Sequence, residues 1–538
     1  MSSPLLSAAS AQTLDEEASA RWGLDPYALV EAAGRACAEA FAAFLSRETQ
    51  RNVWPYFSFV VLAGKGNNAA DALVMLRALV LNGFVKAANC RVFAAQVPTD
   101  SPDGEKTPLS QALLAARMLG VPVQAWDSGA AAAAADAFAD AHVIIDGITG
   151  TGLTSPLRGG ALEMVEALNA LDRGKNGPLV VSIDIPSGNF DGWQPGIPIV
   201  AADATLAIEP QKLCLYVPTA RPHAGTIVPV SGIFPSILTD KYKEAELIDW
   251  EGASARIPPI AQTAHKYERG LVEIRAGSAG AVGAARLAAL GAQAAGAGLV
   301  RLMADTSLYS VLASGCTGIM VDPQIQVPGE TAESGRFAPN AALLGPGWGR
   351  GEDRMRLLES YLPLEERGLP LILDADAIAL AKDFVFHGNA VLTPHPGEFV
   401  AYTGLPKDEI LNDPIPALRR CAAEKNAHIL LKGHVLYAVS PDGRIGIIDG
   451  MNPALAAGGS GDVLAGLCAA LAARHKPFDG YACMCAAASL LLQAAESIAG
   501  TFFDPAELAH AASAVAGKAW LPKKRRVRFS NMGGDPGE

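Results

Sequence analysis

The sequence predicts an α/β protein of two domains, and three observations carry that prediction. The chain has 538 residues, too many for one core, since a single domain seldom exceeds about 250 residues. Strand-like runs that are apolar throughout alternate with helical patterns, as expected of parallel sheets covered on both faces. Glycine-rich and polar clusters directly follow those runs, at the strand ends where open α/β sheets bind ligands.

The elements follow in order. After an opening helical stretch, FSFVVLAG from Phe57, CRVFAA from Cys90, HVIIDGI from His142 and PLVVSIDIP from Pro178 read as strands of a first sheet. The Ala-rich stretch 130–141 reads as an ordinary helix. Residues 236–262, charged and then proline-bearing, read as a linker between a domain at 1–235 and one at 263–538. In the second domain LVEIRAG from Leu271, AALLGPG from Ala341, LPLILDADA from Leu369 and HILLKG from His428 are the expected strands.

Composition excludes several classes. Half of the residues are hydrophobic and 18% are charged, which is globular and not disordered. A net charge of -12 argues against a nucleic-acid surface, which needs clustered Lys and Arg. The basic run Lys523, Lys524, Arg525, Arg526 and Arg528 reads as a solvated tail or helix end. Eight cysteines without a CxxC pair suggest neither a disulfide framework nor a zinc site, so a reducing cytoplasm is expected. No basic residue precedes Arg21, while Asp15, Glu16 and Glu17 are acidic, so a secretory signal is not expected. The apolar run 481–500 carries Gln493 and Glu496, which suits a buried helix better than a membrane span.

The richest segment is GMNPALAAGGSGDVLAG at 450–466. Gly458, Gly459 and Gly461 let backbone N–H groups converge at the start of the helix running from Val463, and such a start receives anions. Asp462 beside a bound phosphate would repel it, unless it takes a proton from a hydroxyl that attacks the phosphoryl group. The alternative is an aspartate favoured by the helix dipole. In the first domain GKGNNAADAL from Gly64, Asp146 with GITGTGL, and Asp184 with IPSG end three strands of one sheet and should meet in one crevice. Asn68, Asp146 and Ser187 would give a cation only oxygen ligands, the preference of a hard metal.

GxGNN with its aspartate, DGITGTGL, DIPSG and the later Lys212 resemble the N-terminal epimerase domain of the bifunctional NAD(P)H-hydrate repair enzymes, over residues 10–235. The resemblance implies a Rossmann-like three-layer α/β/α domain that interconverts the R and S forms of NADHX and NADPHX, the hydrated cofactors. It implies that Asn67, Asn68, Ala69, Ala70 and Asp71, with Gly150, Thr151, Gly152, Leu153, Thr154, Ser155, Pro156 and the catalytic Asp184, contact the hydrated dinucleotide. Potassium would be held by Asn68, Asp146 and Ser187. The family usually reads NNGGDG where this chain has NNAADA, and the added methyls predict a shifted loop or weaker binding.

HK…G, AGS…GAA, GPGWG, DADA, LTPHPGEF, LLKG and NP…GGSGDVLAG resemble, in that order, the ADP- or ATP-dependent NAD(P)H-hydrate dehydratase domain over residues 260–520. The resemblance implies a ribokinase-like α/β fold. It places Ala284, Gly347, His395 and Asp462 on the hydrate. It places Lys432, Gly433, His434, Val435 and Leu436, with Asn452, Pro453, Ala454, Leu455, Ala456, Ala457, Gly458, Gly459, Ser460 and Gly461, on ADP, which arrives with magnesium. In that mechanism phosphoryl transfer to the C6 hydroxyl makes a leaving group, AMP is released, and phosphate eliminates to restore NAD(P)H, with Asp462 as the base. A homo-oligomer is expected, with no nucleic-acid or membrane partner. Two other readings remain at this level: a ribokinase-like small-molecule kinase, and a first domain that binds without catalysis.

Overall fold

A computed structural model describes residues 2–97, 107–127, 130–174, 177–322, 338–500 and 502–522. The basic run 523–528 lies outside the described residues. Two sheets organise the chain, one of seven strands and one of twelve.

The smaller sheet is parallel throughout, in the order Val123–Ala125, Cys90–Ala94, Phe59–Ala63, Val143–Gly147, Leu179–Ile183, Ala204–Ile208, Thr226–Val230. The central strands Phe59–Ala63 and Val143–Gly147 are buried at every position, which is why the sequence reads as unbroken apolar runs and not as alternation. Helices Pro26–Glu48 and Asn67–Leu81 pack on one face. Helices Ala130–Ala139 and Gly159–Asn169 pack on the other. Strand order reverses between Phe59–Ala63 and Val143–Gly147, and the crevice beyond such a reversal is the usual ligand position.

The larger sheet begins Met320–Asp322, Leu299–Met303, Leu271–Arg275, Ala341–Leu344, Leu371–Leu373, Ala390–Leu392, His428–Leu431, all parallel. It continues through the antiparallel hairpin Val435–Val439 and Ile445–Asp449. Its reversal lies between Leu271–Arg275 and Ala341–Leu344. Helices Val282–Ala294 and Ser460–Arg474 cross closely on one face: a Cβ on Gly466 would fall 2.0 Å from the Ala288 carbonyl oxygen. The run near 481–500 forms helix Gly480–Ser497, buried along most of its length in the same core.

The far edge of this sheet is built from the other half of the chain. Ala245–Leu247 pairs parallel to Ile445–Asp449, Ser3–Leu6 pairs antiparallel to Ala245–Leu247, and Gln211–Lys212 pairs parallel to Ser3–Leu6. Residues 236–262, expected as a linker, therefore hold helix Ser236–Lys241, strand Ala245–Leu247 and helix Trp250–Ser254. The physical reason is the open hydrogen-bonding edge of Ile445–Asp449, which a short strand satisfies whatever the polarity of its neighbours.

The halves also meet through side chains. Arg221 donates to both carboxylate oxygens of Asp449 at 2.9 and 2.7 Å, His434 Nε2 lies 2.8 Å from the Pro218 carbonyl, and the Tyr437 hydroxyl donates to the Tyr216 carbonyl at 2.6 Å.

Candidate active sites

In the first half, residues after three parallel strands line one cavity of about 770 Å³. Gly66, Asn67, Asn68 and Asp71 come from the first, Ile148 to Leu153 from the second, and Asp184 from the third. The helix Ala8–Trp22 adds Gln12, Asp15, Glu16 and Ser19, and the segment after Ala204–Ile208 adds Glu209, Pro210 and Lys212.

Asp184 takes a left-handed backbone conformation, φ +66°, uncommon for a residue with a side chain. Its carboxylate accepts from Lys212 Nζ at 2.6 Å, and Lys212 also donates to the Ile208 carbonyl at 3.0 Å. Both residues are buried, so the pair is a fixed charge arrangement and not a surface ion pair. Asp71 is also buried, and burial followed by the nearby Asp184 and Asp15 charges pushes its carboxyl far up.

Asp146 lies beneath the cavity. Its oxygens accept from the Ser182 hydroxyl at 2.7 Å, the Ser187 backbone at 2.9 Å, the Ile148 backbone at 3.2 Å and the Ser187 hydroxyl. Burial raises its carboxyl and those hydrogen bonds oppose the rise. Ser187 Oγ accepts from the Thr149 backbone at 2.8 Å, and Asn68 Nδ2 donates to the Thr149 carbonyl at 2.8 Å. Asn68, Asp146 and Ser187 are thus gathered around one loop. Asn68 Oδ1 is buried and has no hydrogen-bond partner. A buried oxygen left so is costly unless a cation or donor completes it.

Other expected contacts fall elsewhere. Ala69, Ala70 and Ala72 lie in the right-handed helix Asn67–Leu81 with their methyls in the core, and Ala69 and Ala70 do not line the cavity. Their substitution for glycine therefore forces neither a positive φ nor a shift of the cavity wall. The space is supplied opposite, where a Cβ on Gly147 would fall 2.7 Å from Ala72 Cβ. Thr154, Ser155 and Pro156 are exposed and lie beyond the cavity lining, to which the same loop contributes Gly150, Thr151, Gly152 and Leu153.

In the second half, Asp374, His395, Glu398 and Lys432 follow strand ends, and the start of helix Ser460–Arg474 adds Gly461 and Asp462. Lys432 Nζ donates to Asp374 Oδ1 at 2.7 Å and lies 3.9 Å from Glu398 Oε2. Thr393 Oγ1 donates to the same Asp374 oxygen at 2.7 Å. A Cβ on Gly461 would sit 3.5 Å from Lys432 Nζ, which places the lysine against the start of helix Ser460–Arg474. Asp462, in the first turn of that helix, is raised to about 6 by burial and by the Asp374 charge, with Lys432 pulling the other way. Gly459 caps the helix at φ +102°, a conformation that excludes most side chains.

Gly347, at φ +56°, touches the helix bearing Ala284: an added Cβ would fall 3.0 Å from Ala284 Cβ. His395 caps helix Pro396–Thr403, its Nδ1 accepting from the Glu398 backbone at 3.1 Å while Glu398 Oε2 accepts from the His395 backbone at 2.8 Å. The ring is about half exposed, with its Nε2 3.6 Å from Glu398 Oε1.

Of the expected nucleotide set, Val435 and Leu436 are strand residues paired with Asp449 and Ile448, their side chains buried in the core. Ser460 Oγ donates within its own loop, to the Leu455 and Ala457 carbonyls at 2.9 and 3.0 Å. Asn452 caps the turn Pro453–Leu455, its side chain accepting from the Ala454 backbone at 3.1 Å. Ala456, Gly458 and Gly433 complete the loops on either side.

Asp15, Gln12 and Asp374 are site residues that sequence reasoning missed. Gln12 and Asp15 lie three residues apart, one helix face, but only tertiary contact brings that face to the cavity. Asp374 opens the DADA motif, and its partner Lys432 lies too far along the chain to be paired with it by spacing.

A glycine-bounded helix start with an adjacent carboxylate, and a separate cavity with a buried carboxylate–lysine pair, give the chain two candidate sites. A family model described as NAD(P)H-hydrate dehydratase matches residues 272–515, and one described as YjeF-related protein N-terminus matches residues 26–214. The bifunctional NAD(P)H-hydrate repair enzyme of Salinibacter ruber is 31% identical over 502 residues, covering 88% of each chain. The Escherichia coli enzyme of the same name is 29% identical, covering 88% of this chain and 86% of that one. Among solved structures, the ADP/ATP-dependent NAD(P)H-hydrate dehydratase of Bacillus subtilis, co-crystallised with ATP and magnesium, is 26% identical with a TM-score of 0.45, covering 51% of this chain and 99% of that one. The chain belongs to the bifunctional NAD(P)H-hydrate repair enzymes, which join an epimerase and a nucleotide-dependent dehydratase.

Proposed function

We propose that the second site dehydrates S-NAD(P)HX at the expense of ADP, with Asp462 as the base. The observation that carries this reading is the Asp462 carboxyl, raised to about 6 beside the Lys432 ammonium at the start of helix Ser460–Arg474. A base poised near neutrality takes the C6 hydroxyl proton as that oxygen attacks the terminal phosphoryl group. Backbone N–H groups at Gly459 to Gly461 and Lys432 hold the charge that develops on the phosphoryl oxygens. AMP leaves, phosphate then departs from C6, and the dihydropyridine is restored. Ala284, Gly347 and His395 border the hydrate, and the Asn452 to Gly461 loop with Lys432 to His434 borders the nucleotide. Magnesium arrives on the nucleotide phosphates.

The first site takes the R and S hydrates between Asn67, Asn68, Asp71, the Gly150 to Leu153 loop and Asp184. Potassium fits at Asn68, Ser187 and Asp146, because the orphaned Asn68 Oδ1 and the Asp146 charge suit a hard monovalent cation. When bound, it supplies a fixed positive charge for the hydrate. Supplying purified R- and S-NADHX with ADP, ATP or no nucleotide, with and without potassium, tests both sites. Return of NADH absorbance from S only with a nucleotide, and from R at a potassium-dependent rate, is the expected result; no return under any condition overturns it.

A further inference from the structure

Among the side chains that the opening helix Ala8–Trp22 brings to the N-terminal cavity are Gln12 and Asp15. Gln12 Nε2 donates to the Thr151 carbonyl, which ties the helix to the loop after Val143–Gly147. One turn on, Asp15 lines the same cavity as Asp184. The two carboxyls come from unrelated elements, one from this helix and one from the end of Leu179–Ile183. The buried unpartnered atoms Asn68 Oδ1 and Asp71 Oδ1 belong to residues of the same cavity wall, which marks it as built for a polar guest.

Inverting the hydrated carbon has a fixed proton requirement. C6 carries the hydroxyl and the ring nitrogen, so the configuration is lost if the C6–O bond breaks and water returns to the other face. One proton must be given to the departing oxygen and one taken from the incoming water.

We propose that Asp15 and Asp184 are the two proton-transferring groups of the epimerase, one serving each face of C6. The proposal rests on the reading of this cavity as the epimerase site. In the R to S direction the Asp15 carboxyl gives its proton to the hydroxyl, the C6–O pair leaves with oxygen as water, and the N1 lone pair forms the C6–N1 double bond of an iminium. Water then bonds C6 from the opposite face, the double-bond pair returns to N1, and Asp184 takes the released proton. Nothing is oxidised or reduced, and the enzyme ends with the proton on the other carboxyl. In the S to R direction the roles exchange.

The surroundings suit Asp15 to this. Asp15 is open to solvent within the cavity, and the protein surrounding it raises its carboxyl to about 6, with Lys212 lowering it and the Asp184 charge raising it. The titratable groups lining the cavity with it are Glu16, Lys65, Asp71, Asp184, Glu209 and Lys212. Because Asp15 must hold its proton to begin, R-hydrate kcat/KM should fall as pH rises through about 6.

The test uses the full-length protein with R-NADHX, ADP and excess separately prepared dehydratase, in water enriched in oxygen-18. Asp15→Asn is expected to lower kcat roughly 100-fold or more with KM changed little, and to abolish the alkaline fall. Asp15→Glu should restore part of the rate and the fall, which a packing role would not. Because the C6 oxygen departs on phosphate at the dehydration step, the inorganic phosphate released in wild-type turnover should carry one solvent oxygen. S-hydrate turnover at the second site reports that each variant is folded. Unchanged kcat in Asp15→Asn, a defect confined to KM, or retention of the original oxygen overturns the proposal. If Asp184→Asn also keeps full R-hydrate turnover, the reading of the cavity itself fails.

Discussion

Asp462 carries two linked consequences at the scale of one residue. In its proposed role as base it must be ionised, so dehydratase kcat/KM should fall as pH drops through about 6. Asp462→Asn should lower it by about 100- to 10,000-fold while leaving nucleotide affinity within a few-fold, measured by single-turnover kinetics and calorimetry. Stability should move oppositely. The folded carboxyl is raised above its unfolded value of 3.8, so between about pH 4 and 6 the folded state holds the proton more tightly and stability declines as pH rises. Asn at this position removes the half-buried charge, and should raise stability at pH 7 by up to about 2 kcal/mol with no gain at pH 3, checked by denaturant titration. The candidate base was legible in the sequence from the glycines around it. Its tuning by Asp374 was not, because that carboxylate reaches it only across the sheet.

Among elements, the helix Asn67–Leu81 shows why local deviation from a family pattern need not disturb a site. Ala69 and Ala70 sit in right-handed backbone with methyls in the core. Ala69→Gly and Ala70→Gly should therefore each cost about 1 kcal/mol of stability and leave R-hydrate turnover within two-fold, measured by unfolding and by NADH recovery. The sequence could not say this, since the same residues in an extended loop would have faced the ligand. The helix pair Val282–Ala294 and Ser460–Arg474 is the opposite case. Gly466 lies against backbone, where no side-chain rotation relieves an added methyl. Gly466→Ala should cost about 1–3 kcal/mol and, by moving the start of the helix, lower S-hydrate turnover more than R-to-S conversion, each assayed separately.

Taken whole, the molecule is two sheets laced together by the termini of the first half. No described helix is long and apolar enough to cross a membrane, and all eight cysteines are buried and unpaired. Arg221, almost fully buried, is the main charge across the seam, and its loss strands the Asp449 carboxylate. Arg221→Ala should cost on the order of 2 kcal/mol, read from the urea midpoint at pH 7. The sequence alone determined the α/β class, the two-part order and the motif clusters at strand ends, because unbroken apolar runs, glycine turns and strand-to-helix alternation are local properties of the chain. Tertiary structure decided which strands close the large sheet, that Asp15 enters the cavity, and that Asp374 holds Lys432. These depend on unsatisfied sheet edges and on burial of charge between segments hundreds or tens of residues apart, and neither leaves a periodic trace in the sequence.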